Sequence, residues 1–153
     1  MVTLSITRSE VVEFWVAGLP KPQGSKRAFV NPKTKRAIVT ESAGAPLKDW
    51  RYEVKAFAID AMAGKQMVVQ PRGVHLSVEF VMPRPTSLPR NKPTPLAVKR
   101  PDLDKLVRAI CDSLTGVVYA DDSQAISHNV WKRIAEIGEQ PGAKIAVTAL
   151  EIS

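Results

Sequence analysis

Four aspartates of chemical interest lie in two pairs along the second half of the chain. Asp102 and Asp104 are separated by one residue, and Asp121 and Asp122 follow a short apolar run at 117–120. The chain as a whole is basic, with 22 Lys and Arg against 15 Asp and Glu. Converging carboxylates repel each other unless a proton or a cation joins them, so these pairs indicate a candidate ion site.

One amphipathic helix separates the two pairs. Apolar residues recur there at helical spacing: Leu103, Leu106, Val107, Ile110, Cys111 and Leu114. The pattern predicts a helix over residues 102–115, which Gly116 ends. We expect residues 117–120 to form a short strand that returns the chain toward the helix start.

We expect Asp102 and Asp104 to converge only at the helix start, because residues two apart within a helix point about 200° apart. Asp102 would be the N-cap, and the helix dipole would stabilise both carboxylates. The returning chain could bring Asp122 to the same point. An all-oxygen ligand set suits Mg²⁺ or Mn²⁺, which favours phosphodiester hydrolysis.

The same spacing fits a purely structural interpretation. Asp102 would be an ordinary N-cap, and Asp104 would pair with Arg108 one turn later. Asp121 and Asp122 would occupy a surface turn. The spacing alone leaves both interpretations open.

Two basic segments without acidic residues indicate a polyanionic partner. Proline and glycine interrupt both, which predicts loops at about 20–36 and 83–101. Lys and Arg that neutralise phosphates release counterions, so such segments favour nucleic-acid binding. The candidate DNA contacts are Lys21, Lys26, Arg27, Lys33, Lys35, Arg36, Arg84, Arg90, Lys92, Lys99 and Arg100.

The composition predicts one globular domain over residues 1–153. The chain is 44% hydrophobic, which is enough for a core at this length without disulfides or structural metal. The single cysteine, Cys111, cannot form an internal disulfide, and this favours the cytoplasm. No stretch approaches the roughly 18 apolar residues of a membrane span. We expect neither a membrane association nor a small-molecule organic cofactor.

The remaining periodicities predict an α/β (α+β) fold. We expect strands near 10–17, 36–40, 74–81, 124–134 and 144–152, and helices at 46–63 and 102–115. The order β-β-α-β-α-β-β predicts a small mixed sheet with two helices packed on it. Trp15, Trp50 and Trp131 are expected in the core.

Around the two aspartate pairs the sequence resembles the RusA-type Holliday junction resolvases, a family often encoded by phages. The resemblance consists of Pro-Asp-Leu-Asp-Lys-Leu at 101–106, Cys-Asp-Ser-Leu-Thr-Gly at 111–116 and Tyr-Ala-Asp-Asp-Ser-Gln at 119–124. These match the family's helix start, helix end and Asp-Asp-x-Gln turn. A looser likeness at 20–26 and 80–83 extends it over most of the chain.

The resemblance implies roles for these residues. Asp102 and Asp104 match the family's paired catalytic aspartates, and Asp122 matches the third, beside Asp121. Arg108 stands where the family has a lysine, so the charge is kept but proton donation is excluded.

The resemblance also implies a Mg²⁺-dependent homodimer, with Mn²⁺ as a substitute, that cuts four-way and other branched DNA in recombination and repair. Two opposed cuts require two sites related by a two-fold axis. Two other classes stay open. A non-catalytic basic nucleic-acid-binding module would bind without metal-dependent cleavage, and a basic scaffold protein would not prefer branched DNA.

Overall fold

The computed structural model describes residues 4–24, 26–30, 33, 37–41 and 44–153. In chain order the elements are β1 (Ile6–Ala17), β2 (Lys26–Val30), β3 (Ala37–Glu41), α1 (Gly44–Met62), β4 (Gly73–Met82), α2 (Leu103–Leu114), β5 (Ala125–Ile134) and β6 (Gly142–Ile152). Four strands form a mixed sheet in the order β1-β6-β4-β5, in which β6 is antiparallel to both neighbours and β4 is parallel to β5. The predicted mixed α+β fold is confirmed.

Both helices pack on the same face of this sheet. Alternate residues of β4, from Val74 to Phe80, are buried and share one core with Val54 of α1 and with Leu106 and Ile110 of α2. This burial follows from the period of two along the strand and the 3.6-residue period along each helix. The sheet therefore fixes α2, which begins at one aspartate pair and is followed, after a turn, by the other.

Two of the three tryptophans lie outside the core, contrary to expectation. Trp50 of α1 is buried, whereas Trp15 and Trp131 are 39% and 49% exposed. Their neighbours Val16 and Val130 pack toward the core, so strand alternation places both indoles on the face that the helices leave uncovered.

The first basic segment is not entirely a loop, because β2 lies within residues 20–36. It pairs antiparallel with β3 in a separate two-stranded sheet. The three loop-forming residues Pro22, Gly24 and Pro32 all fall outside β2, so each of its residues keeps a backbone N–H for pairing. Only the backbone is described at Lys26 and Arg27, and Lys35 and Arg36 lie outside the described residues.

The expected strand at 117–120 is reduced to isolated bridges of Tyr119 with Val68 and with Thr115, after a tight turn at residues 116–118. Gly116 has a positive φ of 82°, a conformation that glycine adopts without strain. The N–H groups of Val117 and Val118 then donate back to the Leu114 carbonyl, at 3.0 and 2.9 Å. Within the apolar run at 117–120, the side chains of Val118 and Tyr119 are buried.

The second basic segment, 83–101, is a loop without helix or strand, as predicted. Within the parts of the chain that the structure describes, no helix is both long and apolar enough to cross a membrane.

Candidate functional site

The start of α2 leaves its two carboxylates accessible. Asp102 is the N-cap, with extended φ and ψ of −70° and 138°, but its side chain makes no capping hydrogen bond. Its carboxylate lies 3.8 Å from the ammonium of Lys105, and its side chain is 56% exposed. Ion pairs this exposed contribute at most about 1 kcal/mol. Asp104 is exposed in the first helical turn, so both carboxylates are open to a ligand.

One contact that the structural interpretation predicts for this pair is absent. No ion pair joins Asp104 to Arg108, although the structure describes both side chains. Arg108 is exposed one helical turn after Asp104, on the same side of α2. Asp112, one turn further, pairs instead with Arg51 of α1 at 3.6 Å. The guanidinium of Arg108 is therefore exposed on the same side of α2 as Asp104.

The backbone around this pair is fixed from two sides. The ammonium of Lys132, on β5, donates to the carbonyls of Lys99 and Pro101, each at 2.7 Å. On the other side, the N–H of Gln23 donates to the Lys105 carbonyl at 2.9 Å. The chain leaving β1 therefore lies against the first turn of α2. Sequence reasoning missed Lys132, whose only signal was a cation within a strand pattern.

The second pair lies in a turn that its own side chains stabilise. Asp121 caps a single 3-10 turn at Asp122–Gln124, where its carboxylate accepts a hydrogen bond from the Ser123 N–H at 3.3 Å. The carboxylate of Asp122 is exposed and contacts the hydroxyl of Thr115. Asp121 therefore has a structural contact within the turn, and the side chains of both aspartates are exposed.

Gln124 connects this turn to the segment that precedes β4. Its side chain is buried, and its Oε1 accepts hydrogen bonds from the N–H groups of Ala120 and Asp121 at 3.0 and 2.9 Å. Its Nε2 donates to the carbonyls of Val68 and Arg72, both at 3.1 Å. All four hydrogen-bonding capacities of the amide are used. Sequence reasoning assigned Gln124 no role, although it ends the Asp-Asp-x-Gln motif.

The two pairs lie at opposite ends of α2. Asp122 contacts Thr115, which follows Asp104 by eleven residues, or about 16 Å of helix. The sheet gives the same result. β5 starts beside Val74 of β4, whereas Lys132, which holds the chain just before Asp102, pairs with Phe80 near the other end.

Asp122 consequently does not join Asp102 and Asp104 within one chain. Among the described residues, no three His, Cys, Asp or Glu side chains are arranged to hold a metal ion. The expected convergence fails because residues 117–120 turn under the end of α2 and do not return along it.

The surroundings of Asp122 are partly apolar and hold two neutral acids. Burial raises the pKa of the Cys111 thiol, and the negative charge of Asp122 raises it further. Burial likewise raises the pKa of the Tyr119 phenol, whose hydroxyl donates to the Cys111 carbonyl at 3.4 Å. Both groups therefore stay protonated at neutral pH. Cys111 itself is half-buried and packs against the core.

The predicted DNA-contacting cations differ in their availability. Within the loop at 83–101, the Arg84 guanidinium donates to the Thr94 hydroxyl at 2.6 Å and to the carbonyls of Pro89 and Lys92 at 3.3 and 3.1 Å. Arg84 thus organises the loop. The exposed cations in the described residues of the two segments are Lys33, Arg90, Lys92, Lys99 and Arg100, whereas Lys21 is half-buried.

Comparison with protein families gives one match, to a family described as Endodeoxyribonuclease RusA, over residues 20–148. This range covers most of the chain and includes α2 with both aspartate pairs. No curated protein matches the sequence.

Proposed function

The chain belongs to the RusA endodeoxyribonuclease family, and we propose that it is a Mg²⁺-dependent enzyme that resolves four-way and other branched DNA by paired symmetric cuts. Membership implies Holliday junction nuclease activity with a divalent metal. The proposal depends most on Asp102, a helix N-cap whose carboxylate makes no capping hydrogen bond. A second exposed carboxylate, that of Asp104, follows in the first turn. We place the enzyme in the cytoplasm with its DNA substrate, acting in recombination and repair.

The start of α2 has the chemistry that a hard cation requires. Mg²⁺ prefers carboxylate oxygens and retains several waters, so it needs exposed donors. Asp102 and Asp104 are exposed acceptors at a helix N-terminus. When bound there, Mg²⁺, or Mn²⁺ in its place, supplies charge neutralisation and an activated water. Arg108 holds the scissile phosphate and, as a guanidinium, remains protonated while doing so.

A homodimer supplies the third carboxylate in this proposal. Asp122 and Asp104 lie at opposite ends of α2, so a two-fold axis that sets two copies of α2 antiparallel brings Asp122 of the partner subunit beside Asp104. The symmetry creates two such sites, and two opposed cuts require two sites. The exposed carboxylate of Asp122, mounted on a rigid turn, supports this arrangement.

The basic segments supply affinity for the junction. Phosphate contacts position DNA without specifying sequence, so selectivity for branched DNA follows from shape. The residues proposed for these contacts are Lys21, Lys26, Arg27, Lys33, Lys35, Arg36, Arg90, Lys92, Lys99 and Arg100.

The test uses a labelled four-way junction and a matched linear duplex, each with Mg²⁺ or EDTA at fixed salt. We expect paired symmetric nicks in the junction with Mg²⁺ only. Asp104→Asn should lower the rate about 100-fold or more, because metal contacts contribute several kcal/mol and each 1.36 kcal/mol is tenfold.

The matched control is Asp60→Asn, which removes an exposed carboxylate from α1 and should leave cutting unchanged. Wild-type cutting by Asp104→Asn would contradict the proposed metal site. Junction binding without any cleavage by the wild type would identify a non-catalytic binding module instead.

A further inference from the structure

The loop at 83–101 encloses an apolar cleft beside the start of α2. The cleft has a volume of about 530 Å³, and its walls include Met82 of β4, Ile134 of β5 and Leu96 and Val98 of the loop. Pro101 also lines it, and Asp102 is the next residue. Ligand pockets in proteins commonly have volumes of about 300–1,000 Å³. The cleft is therefore large enough for a ligand group and adjoins the proposed metal site.

The loop that forms the cleft is held in place by its own contacts. Besides the bonds of Arg84 within the loop, the Thr94 hydroxyl donates to the carboxylate of Glu136 at 2.7 Å. At the other end, Lys132 lines the cleft and holds the carbonyls of Lys99 and Pro101. These contacts anchor both ends of the wall to the sheet and its adjoining turn. The cleft is thus formed before any ligand binds.

Its mouth combines apolar surface with positive charge. Leu96 and Val98 are 83% and 81% exposed, the highest values among the large hydrophobic side chains that the structure describes. The cations Lys99 and Arg100 lie at the rim and are exposed, and residues 83–101 contain no acid. Concentrated apolar exposure marks a binding surface, and this one fits a ligand with an apolar face and an attached negative charge.

We propose that this cleft binds an unpaired nucleobase of the branched DNA, with the phosphate of the same nucleotide on Lys99 and Arg100. This inference rests on the proposed function and deepens it. A nucleobase offers an apolar face, and its phosphate offers the charge that the rim complements. A base pair at an open branch point stacks on one side only, so unpairing and unstacking its base costs less there than within a linear duplex, and the site favours a branch point. It also directs the neighbouring phosphate toward Asp102 and Asp104.

The experiment places the fluorescent base 2-aminopurine, whose emission rises when it unstacks, at successive positions around the branch point of a four-way junction. Ca²⁺ replaces Mg²⁺ so that binding is measured without cutting, because Ca²⁺ occupies oxygen sites with a different geometry and coordination number. We expect wild-type binding to raise emission at one position next to the cut. Leu96→Asn combined with Val98→Asn should abolish most of that rise and weaken junction binding about tenfold, or ~1.4 kcal/mol.

The matched control is Ile152→Asn, which changes an apolar side chain that is 72% exposed at the opposite end of the sheet. It should leave emission and affinity unchanged. Exposed substitutions of this kind alter stability by about 0.5 kcal/mol or less, so all three proteins should unfold alike.

Unchanged emission and affinity in the double variant would overturn the proposal. A changed oligomeric state with unchanged emission would assign the cleft to a protein contact and would also overturn it. Cutting of the junction with Mg²⁺ is measured on the same preparations. If the wild type cuts the junction but causes no emission change, only the base-binding role of the cleft is rejected. If the wild type causes the emission change but does not cut, the base-binding role is supported and the nuclease proposal is rejected.

Discussion

The two ends of α2 hold their aspartates in opposite ways. At the first end, Asp102 and Asp104 make few contacts, and Lys132 fixes the chain through backbone carbonyls. At the second end, side chains make the contacts themselves: Asp121 caps the turn and Gln124 anchors it. Both carboxylates at the first end are exposed, while at the second end Asp121 is part of a rigid turn on which Asp122 is exposed.

In the proposed dimer, this difference would let one helix serve two sites. A metal site needs carboxylates whose lone pairs are not already used by the protein. A residue that contributes to a site on another subunit needs a fixed position, since small displacements of positioned groups reduce rates strongly. In the proposed dimer, the first end binds the ion and the second end presents Asp122 to the partner subunit.

The largest effect is expected from mixing two inactive variants. Asp104→Asn and Asp122→Asn should each lower cutting about 100-fold or more. In a mixed dimer, one site loses both carboxylates and the other keeps both. Random mixing gives about half mixed dimers, so about a quarter of all sites should be intact. Junction cleavage after subunit exchange would measure this recovery. No recovery would place each site within one chain and contradict the shared arrangement.

The next largest effect is expected at Gln124. Gln124→Ala removes four hydrogen bonds and leaves two part-buried backbone groups, the Asp121 N–H and the Arg72 carbonyl, without this partner. The Val68 carbonyl keeps the hydrogen bond from the Ala120 N–H. Unsatisfied buried groups cost about 1–3 kcal/mol each, so we expect the free energy of unfolding to fall by roughly 2–4 kcal/mol in urea titration. Gln140→Ala removes one long, exposed bond of 3.4 Å and should change little. If Gln124→Ala lowered the free energy of unfolding no more than Gln140→Ala does, the turn would not depend on Gln124.

Lys132 offers the corresponding test at the first end. Lys132→Met removes two bonds to backbone carbonyls, and bonds involving a charged group contribute about 1.5–3 kcal/mol. Because Lys132 is half-exposed, we expect a smaller stability loss, about 1–2 kcal/mol. Cutting should fall more than junction affinity, since the variant releases the chain before Asp102.

The control for Lys132 is Lys144→Met on β6, which removes only the exposed ion pair with Glu13 at 3.2 Å. Lys132→Arg should recover part of the rate, because it retains a donor. A drop in affinity that matches the drop in rate would indicate a DNA contact and contradict the positioning role.

Features set by local interactions were predictable from the sequence, whereas contacts between residues distant in the chain were not. The 3.6-residue period of α2 and the alternation of β4 are local, and both elements were predicted closely. The carbonyls that accept hydrogen bonds from Lys132 and Gln124 are at least 31 residues away in the chain, and no local pattern identifies such contacts.

Two errors have the same origin. The exposure of Trp15 and Trp131 depends on which face of the sheet the helices cover, and alternation alone does not specify that face. The separation of Asp122 from Asp104 depends on the direction of the turn at Gly116. The two aspartate pairs were recognisable in the sequence, but their distribution over the two ends of α2 was not.

The smallest effect is expected from the two N-caps, and it separates the two ends most directly. Replacing an N-cap aspartate by alanine ordinarily costs about 1 kcal/mol. Asp121→Ala should have this effect because its carboxylate caps the turn, whereas Asp102→Ala should cost about 0.5 kcal/mol or less because it makes no such bond. Added Mg²⁺ should stabilise the wild type and Asp121→Ala but not Asp102→Ala, since only a bound ligand shifts unfolding. Thermal unfolding with and without Mg²⁺ measures both differences, and a larger cost at Asp102 in the absence of metal would make it a structural cap.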